Sequence, residues 1–410
     1  MRNKKIILHG LTILLILISC EKGHDFEYPL VYTGDVTNIT DTNALFSAKI
    51  SFLGDYPILE SGFIWGVHSK DNNGIKIKNP ENVSGIYSLY TNEKLLPGKT
   101  FYVRGYVQTE NTTSYGREVS FESPKGQINT GRWSQMYNDY HDYGSEEFIR
   151  ASFTINDITY FAFANGGLLY SYNPTTNTFK YELSNLLLSI ADLSVVYNGH
   201  AYIFSLDAFY RFDPQLKSFY KLATFSDSKS KYEASGFLIE DNIYIGLGRT
   251  SGKYSKDFWK YSITSDSWEQ VASFPGNYRR NGFSFSINNI GYVGGGFNDI
   301  GNWPYPKFND LWCYIPESDK WIQKESLPFK NEELFDLQGT NTEEFGYCFY
   351  HNQFYEYNPI FDIWEKMADL DIGFILYDPH IFWDGSKIYI LDPSRDYLDE
   401  IYFKMWVYEK

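Results

Sequence analysis

Residues 312–321 of the chain read WCYIPESDKW, in which two aromatics separated by one residue are followed, after six more residues, by a third. Alternating aromatic side chains are typical of a half-buried β-strand, because successive side chains of a strand point to opposite faces. Pro316 lies between the aromatics, and its fixed φ angle suits a turn. The stretch therefore predicts two antiparallel strands joined by a turn.

The same spacing occurs five times in full, which indicates an internal repeat. A sixth doublet, Trp406-Val407-Tyr408, reaches the C-terminus without a final aromatic. Turn-forming pairs such as Asn156-Asp157 and Asn198-Gly199 split the strand-like runs before the doublets. We therefore predict that each unit is a four-stranded antiparallel meander. The five complete copies are Tyr170 and Tyr172 with Phe179, Tyr210 and Phe212 with Phe219, Trp259 and Tyr261 with Trp268, Trp312 and Tyr314 with Trp321, and Tyr355 and Tyr357 with Trp364.

These units resemble the kelch repeat, which ends in an aromatic strand, a turn of the Asp-Pro type and a tryptophan. The kelch di-glycine is matched by Gly166-Gly167 and Gly294-Gly295, whereas the second, fifth and sixth units lack it. The resemblance covers residues 131–410 and implies an all-β fold, a kelch-type β-propeller. Another propeller family is the alternative.

The missing sixth aromatic is expected at the start of this region. Gly131-Arg132-Trp133 matches the end of a repeat, so Trp133 is predicted to supply the outer strand of the blade that ends at Tyr408. Pairing the two ends of the chain in this way closes the ring and removes exposed sheet edges. We therefore expect six blades closed by an N-terminal strand.

The N-terminus has the pattern of an export signal. Basic residues precede an apolar run that is too short for a transmembrane helix. The run ends in Leu17-Ile18-Ser19-Cys20, which resembles the bacterial lipobox and implies lipidation of Cys20. We predict a lipoprotein signal peptide at residues 1–19 and a tether at 20–27, with a plain signal peptide as the alternative. The resemblance implies an anchor at the outer membrane or cell surface of a Gram-negative bacterium.

Residues 28–124 are predicted to form a separate β-sandwich, because short strand-like runs alternate with turn residues. The segment Leu96–Tyr106 looks like the loop and aromatic strand of fibronectin type III domains. The resemblance implies an Ig-like or fibronectin III-like sandwich that serves as a spacer before the propeller.

Charge and metal-ligand content exclude several classes of function. The net charge of −15 argues against a nucleic-acid partner, which would need a basic surface. The seven histidines show no metal-ligand spacing, and no cofactor motif is present, so neither metal nor cofactor is predicted. Cys313 and Cys348 are expected to be buried thiols, with a single disulfide as the alternative.

A ligand site is predicted on one face of the ring, where antiparallel geometry places the interblade loops and the loops between second and third strands. The long loops 249–256 and 297–310 belong to this face. A Trp and a Tyr beside paired arginines suit a glycan, since rings stack on sugars and guanidinium groups bind carboxylates. Alternatively, Trp303 packs its own loop and the arginines cap neighbouring carbonyls. The predicted site consists of Tyr232, Glu233, Arg249, Arg279, Arg280, Asn281, Trp303 and Tyr305.

Three functions remain open from the sequence. A surface module that binds a carbohydrate or protein ligand without catalysis is favoured. The chain also resembles exported sialic acid mutarotases, six-bladed kelch enzymes, in which case Glu233, Arg279 and Arg280 are candidates for acid–base work. However, the irregular di-glycine pattern, the anchor and the extra sandwich depart from that family. A scaffold for protein–protein contacts is the third possibility.

Overall fold

The computed structural model describes residues 28–52, 56–81, 85–141, 148–225, 230–301, 305–329, 337–376, 379–395 and 401–410. Cys20 and Trp303 lie outside these ranges, as do the predicted signal peptide and tether. The chain divides into two compact units, Met1–Ile128 and Asn129–Lys410. Regular structure is almost entirely β-strand; three short 3-10 helices occur in the described part, at Asn165–Gly167, Leu186–Ile190 and Pro316–Ser318.

The first unit contains two antiparallel sheets that pack face to face. Its strands are β1 (Leu30–Thr33), β2 (Leu45–Phe52), β3 (Glu60–Gly66), β4 (Ile75–Lys78), β5 (Gly85–Tyr90), β6 (Thr100–Gln108), β7 (Thr113–Tyr115) and β8 (Val119–Glu122). One sheet has the order β1-β2-β5, and the other has β4-β3-β6 with β7 and β8 both on β6. Phe46 of the first sheet packs on Phe63 and Trp65 of the second at centroid distances of 5.5 and 5.6 Å. The unit is thus a β-sandwich, and its fibronectin character stays a prediction.

The described part of the second unit contains six four-stranded antiparallel sheets and one small three-stranded sheet. The strand bounds are β9 (Arg132–His141), β10 (Ile149–Ile155), β11 (Ile158–Phe163), β12 (Leu168–Asn173), β13 (Thr178–Ser184), β14 (Ala191–Tyr197), β15 (His200–Ser205), β16 (Ala208–Asp213), β17 (Ser218–Thr224), β18 (Lys231–Tyr232), β19 (Ser235–Ile239), β20 (Asn242–Gly246), β21 (Arg249–Thr250), β22 (Lys253–Tyr254), β23 (Phe258–Ser262), β24 (Ser267–Val271), β25 (Phe283–Ile287), β26 (Ile290–Gly294), β27 (Leu311–Ile315), β28 (Lys320–Lys324), β29 (Gln338–Asn341), β30 (Gly346–Tyr350), β31 (Gln353–Asn358), β32 (Ile363–Lys366), β33 (His380–Trp383), β34 (Ile388–Arg395) and β35 (Ile401–Glu409).

The sheets follow one another along the chain as blades. In order, they are β10-β11-β12-β13, β14-β15-β16-β17, β19-β20-β23-β24, β25-β26-β27-β28, β29-β30-β31-β32 and β33-β34-β35-β9. The first strand of each blade contacts the first strand of the next, and β33 of the last blade contacts β10 of the first. These inner strands therefore form a closed ring, which confirms the predicted six-bladed propeller. A small sheet of β18, β21 and β22 lies beside blade three in the chain.

The ring closes as predicted, because β9 pairs with β35 and places Trp133 opposite Tyr408. Tyr314 and Trp321 face each other in the same way across the outer hairpin of blade four. The Trp133 indole N–H donates to the carbonyl of Ala368 at 3.0 Å, at the end of blade five. Three other tryptophans make the equivalent bond to the preceding blade: Trp268 to Ala223, Trp321 to Ala272 and Trp364 to Glu325, at 2.9, 2.9 and 3.1 Å.

The turn inside each outer hairpin reinforces this contact between blades. The Tyr314 hydroxyl donates to the Asp319 carboxylate at 2.8 Å, and the same oxygen accepts the Ala272 backbone N–H, also at 2.8 Å. Asp319 has a φ of 49°, a left-handed conformation that Asp tolerates better than most residues. Tyr261 with Asp266 and Tyr357 with Asp362 repeat the arrangement. The aromatic spacing of the sequence is therefore the spacing of an interblade clamp.

Cys313 and Cys348 are both buried, and neither forms a disulfide. Burial raises the pKa of both thiols.

Within the described ranges, no helix has the length and apolar character that a bilayer span requires.

Candidate functional site

A central cavity of about 380 Å³ opens at the end of the propeller where the interblade loops enter the inner strands. Each blade contributes at least one polar side chain, either from its first strand or from the loop before it. From blade one to blade six, these are Arg150, Asp192, Glu233, Asn281, Gln338 and His380. A narrower extension of about 280 Å³ shares Arg150, Asp192 and His380 and is lined by Ser152, Ser194 and Thr340 further along the inner strands.

Arg150 and Asp192 occupy corresponding positions in blades one and two. In blade one, the pairing register between the first and second strands shifts between Ile149 and Ala151, at Arg150. In blade two, it shifts between Ala191 and Leu193, at Asp192. Such β-bulges re-aim a side chain and are common beside active sites. Both side chains line the central cavity.

The Arg150 guanidinium is exposed. Most other arginines near the cavity are held by carboxylates, but the structure shows no hydrogen bond or ion pair between Arg150 and another described residue. Its charge partly opposes the rise in the pKa of Asp192, so the two groups are close enough to interact. Arg150 is therefore a cation that remains available to an anionic ligand.

Asp192 is the titratable group on the cavity whose properties are most unusual. Its pKa is raised to about 7, mainly by burial and to a smaller extent by the Glu233 charge. Hydrogen bonds from the backbone N–H groups of Glu233 and Ala234 and the Arg150 charge oppose this rise. Its Oδ2 atom is buried and has no hydrogen-bond partner among the described residues. A carboxyl group with these properties can donate or accept a proton near neutral pH.

His380 lies across the cavity on blade six. Burial lowers its pKa to about 4, so the imidazole is neutral at physiological pH. Its Nε2 atom lies 2.7 Å from the Ser152 hydroxyl of blade one, which fixes the ring orientation. A neutral imidazole in this position can orient a bound hydroxyl by hydrogen bonding but adds no charge.

A network of ion pairs forms the rim beside blades three and four. Arg280 pairs with Glu233 and, at 3.0 Å, with Asp299. Asp299 also accepts bonds from Arg249 at 2.6 Å and from the Tyr254 hydroxyl. Burial alone would raise the pKa of Asp299, but these hydrogen bonds and cationic charges outweigh it and lower the pKa to about 2. Its ion pair with Arg280 holds the Glu233 carboxylate at the edge of the cavity.

A side groove of about 320 Å³ leads off from the central cavity. It shares Arg150, Asp192 and Glu233 with the cavity and is otherwise lined by Ile190, Tyr232, Arg249 and Gly252. The backbone of Tyr232 pairs with that of Arg249, since β18 pairs with β21. Two loops that the sequence predicts to share a face therefore do meet.

The structure brings together most of the site residues predicted from sequence. Glu233 and Asn281 line the central cavity, while Tyr232 and Arg249 line the side groove. Arg280 belongs to the rim network. Tyr305 is partly buried and is not among the residues that line either space.

Arg279 is placed differently from the prediction, because its side chain is fully buried. It makes two hydrogen bonds to Asp310, at 2.6 and 2.8 Å. Its guanidinium lies between the rings of Phe274 and Phe308, 4.8 and 4.5 Å from their centroids. Lys231 is likewise fully buried before blade three and pairs with Asp257 at 3.0 Å. These two cations pack the blades and do not line the cavity.

Sequence reasoning missed Arg150, Asp192, Gln338 and His380. Arg150 and Asp192 each lie six residues before the first residue of a predicted hairpin turn, Asn156 and Asn198. Comparing this position between repeats would have shown two charged residues where a buried strand begins. Within the described part of the chain, no group of His, Cys, Asp or Glu residues forms a metal site.

Comparison with known proteins gives partial matches, and no protein-family model matches the chain. Over 90 residues the chain is 32% identical to an N-acetylneuraminate epimerase of Pasteurella multocida, covering 22% of this chain and 23% of that protein. An epimerase of the same name from Haemophilus influenzae is 30% identical over 90 residues, and one from Shigella sonnei is 30% identical over 93 residues. The matches thus span a quarter or less of the length of these relatives.

A solved structure described as that of YjhT aligns with 48% of this chain and 70% of its own. The sequence identity is 17% and the TM-score is 0.41. The propeller assignment therefore depends on the closed ring of blades itself.

Proposed function

We propose that the central cavity binds an acidic sugar, such as N-acetylneuraminate, and catalyses the interconversion of its anomers. The observation that carries the proposal is the pairing of two bulged residues on one cavity: Arg150, which has no ion-pair partner among the described residues, and Asp192, whose carboxyl has a pKa of about 7. The partial similarity to N-acetylneuraminate epimerases supports the substrate class.

Arg150 would bind the sugar carboxylate. Guanidinium–carboxylate pairs are charge-assisted and often bidentate, which gives both affinity and orientation. Arg249 and Arg280 are already neutralised by Glu233 and Asp299, so Arg150 is the cation that gains most from an anionic ligand. Asn281, Gln338 and His380 then offer neutral hydrogen-bonding groups for hydroxyls.

Anomer interconversion needs only proton transfers. Opening the ring requires a proton on the ring oxygen and removal of the proton from the anomeric hydroxyl. The resulting carbonyl group rotates, and the hydroxyl formed from the ring oxygen then adds to the other face of that carbonyl. Asp192, protonated below about pH 7, would donate the first proton. The Glu233 carboxylate, held at the cavity by its ion pair with Arg280, would accept the second. Reversing both transfers closes the ring and restores both groups.

Changing Arg150 to Gln should weaken N-acetylneuraminate binding roughly 10- to 100-fold, the value of a charged hydrogen-bonded pair. Isothermal titration calorimetry measures this change directly. Arg132→Gln is the matched control, because Arg132 is an exposed arginine on the outer strand of blade six. Equal affinity in the Arg150 variant and the wild type would reject the assignment. Tight binding without anomer exchange would instead favour a binding module that lacks catalysis.

We further propose that the protein is exported and anchored through a lipid on Cys20, with the sandwich as a spacer of fibronectin III-like type. The motivating observation is the lipobox-like sequence at residues 17–20. Cys20→Ser should move the protein from the membrane fraction to the soluble fraction and abolish incorporation of labelled palmitate. Unchanged membrane association and labelling would contradict the anchor.

A further inference from the structure

We propose that the side groove is a second sugar subsite, so that the preferred ligand is an acidic glycan of at least two units. The inference deepens the proposed function and rests on it. One unit would occupy the central cavity, with its carboxylate on Arg150. The next unit would extend outward into the groove between Tyr232 and Ile190.

The two spaces are continuous, since Arg150, Asp192 and Glu233 line both. The central cavity, at about 380 Å³, has the volume of a small-molecule site on its own. A further 320 Å³ space is more than a single sugar needs. A linkage between two units would pass over these three shared residues.

Tyr232 offers a stacking surface for the second unit. Its side chain is 39% exposed, and it makes no contact with another ring in the described part of the chain. Its backbone is fixed by pairing with Arg249, so the ring is held at the groove wall without being covered. Aromatic rings in such positions pack against the apolar face of a sugar while their hydroxyl stays wet.

The remaining walls leave room and supply polar donors. Gly252 has no neighbouring atom within 4 Å of the place that a β-carbon would occupy, so the groove is open there. Arg249 contacts Asp299 through Nη2 alone, and a guanidinium carries five N–H donors. The guanidinium also bonds to the Tyr254 side chain and lies 5.2 Å from the centroid of that ring, so the N–H groups that remain would donate to sugar hydroxyls. Ile190 adds an exposed apolar side chain to the lining of the groove.

The test compares N-acetylneuraminate with its α2,8-linked dimer by isothermal titration calorimetry. We expect the dimer to bind wild-type protein about tenfold more tightly than the monomer, the value of one aromatic stacking contact. Tyr232→Ala should remove that gain and leave the monomer affinity within about twofold. Tyr232→Phe should keep the gain, because the ring remains. Tyr220→Ala is the matched control, since Tyr220 is 42% exposed on the outer strand of blade two.

The outcomes separate the two proposals. If the monomer binds and the dimer binds no more tightly, the second subsite is wrong, whereas binding of an acidic sugar to the central cavity is supported. If Tyr232→Ala weakens monomer and dimer equally, the ring supports the central cavity, and the subsite is again wrong. If neither sugar binds, the proposed function fails and the subsite with it.

Discussion

Asp192→Asn is expected to lower the rate of anomer exchange of N-acetylneuraminate roughly 100- to 10,000-fold, the usual contribution of a positioned acid or base. The amide has nearly the same shape as the carboxyl group, but it has no acidic proton to transfer to the ring oxygen. Binding should survive, since Arg150 and the neutral hydrogen-bonding groups remain. Exchange spectroscopy by NMR gives the rate, and calorimetry gives the affinity of the same samples.

The wild-type rate should also fall as the pH rises through about 7, because Asp192 loses its proton there. The residual rate of the Asn variant should lack this step. The glutamine variant of exposed Arg132 serves as the control for handling and folding. A wild-type rate that is flat between pH 5 and 9, or an Asn variant that keeps full activity, would contradict the assignment of Asp192 as the acid.

Unfolding measurements on the same variant test whether loss of the fold could cause the lost activity. The pKa of Asp192 is raised in the folded state, so the native protein holds this proton at a pH where the unfolded chain has released it. The contribution of Asp192 to the free energy of unfolding therefore falls as the pH rises from about 4 to about 7. Asp192→Asn removes this loss, so above pH 7 the variant should unfold at the same denaturant concentration as wild type or higher.

Arg279→Met is expected to lower the free energy of unfolding by about 3–5 kcal/mol, the usual cost of leaving one member of a buried ion pair without its partner. The change would strand the Asp310 carboxylate and remove a cation from between the Phe274 and Phe308 rings. Urea denaturation followed by tryptophan fluorescence measures the effect.

Two further variants make this prediction specific to the buried pair. Arg132→Met should change stability little, because the Arg132–Glu409 pair is exposed. Arg279→Met combined with Asp310→Asn should recover part of the loss, because no unpaired charge remains and the amide oxygen can still accept the Trp312 N–H. A loss no larger for Arg279→Met than for Arg132→Met would show that the Arg279–Asp310 pair does not hold the blades together.

The fold follows from the sequence because its main determinant is local. Tyr314 and Trp321 lie in one hairpin, so their spacing is fixed by the turn between them, and the same spacing recurs in every complete blade. The role of Trp133 was also predictable, since it completes the count of outer aromatics. The hydrogen bond from Trp133 to Ala368 joins residues that are distant in the sequence, so it could be seen only in the structure.

The site was predictable only in part because it exists only once the ring is closed. Arg150, Asp192 and His380 are distant in sequence and meet because each begins, or nearly begins, an inner strand. The register shifts at Arg150 and Asp192 depend on pairing with the second strand and leave no turn residue as a marker. For Arg279, the sequence predicted a ligand-binding residue that the structure does not place at the cavity. A basic residue in an aromatic loop indicated an exposed side chain, whereas Asp310 and two aromatic rings make its burial favourable.

Action of the cavity at the start of the inner strands on an acidic sugar is tested by the rate of anomer exchange of N-acetylneuraminate with wild-type protein, starting from one anomer. N-acetylmannosamine, a sugar that lacks a carboxylate, serves as the comparison. We expect exchange well above the buffer rate for N-acetylneuraminate and no acceleration for N-acetylmannosamine. An N-acetylneuraminate rate equal to that in buffer would contradict it.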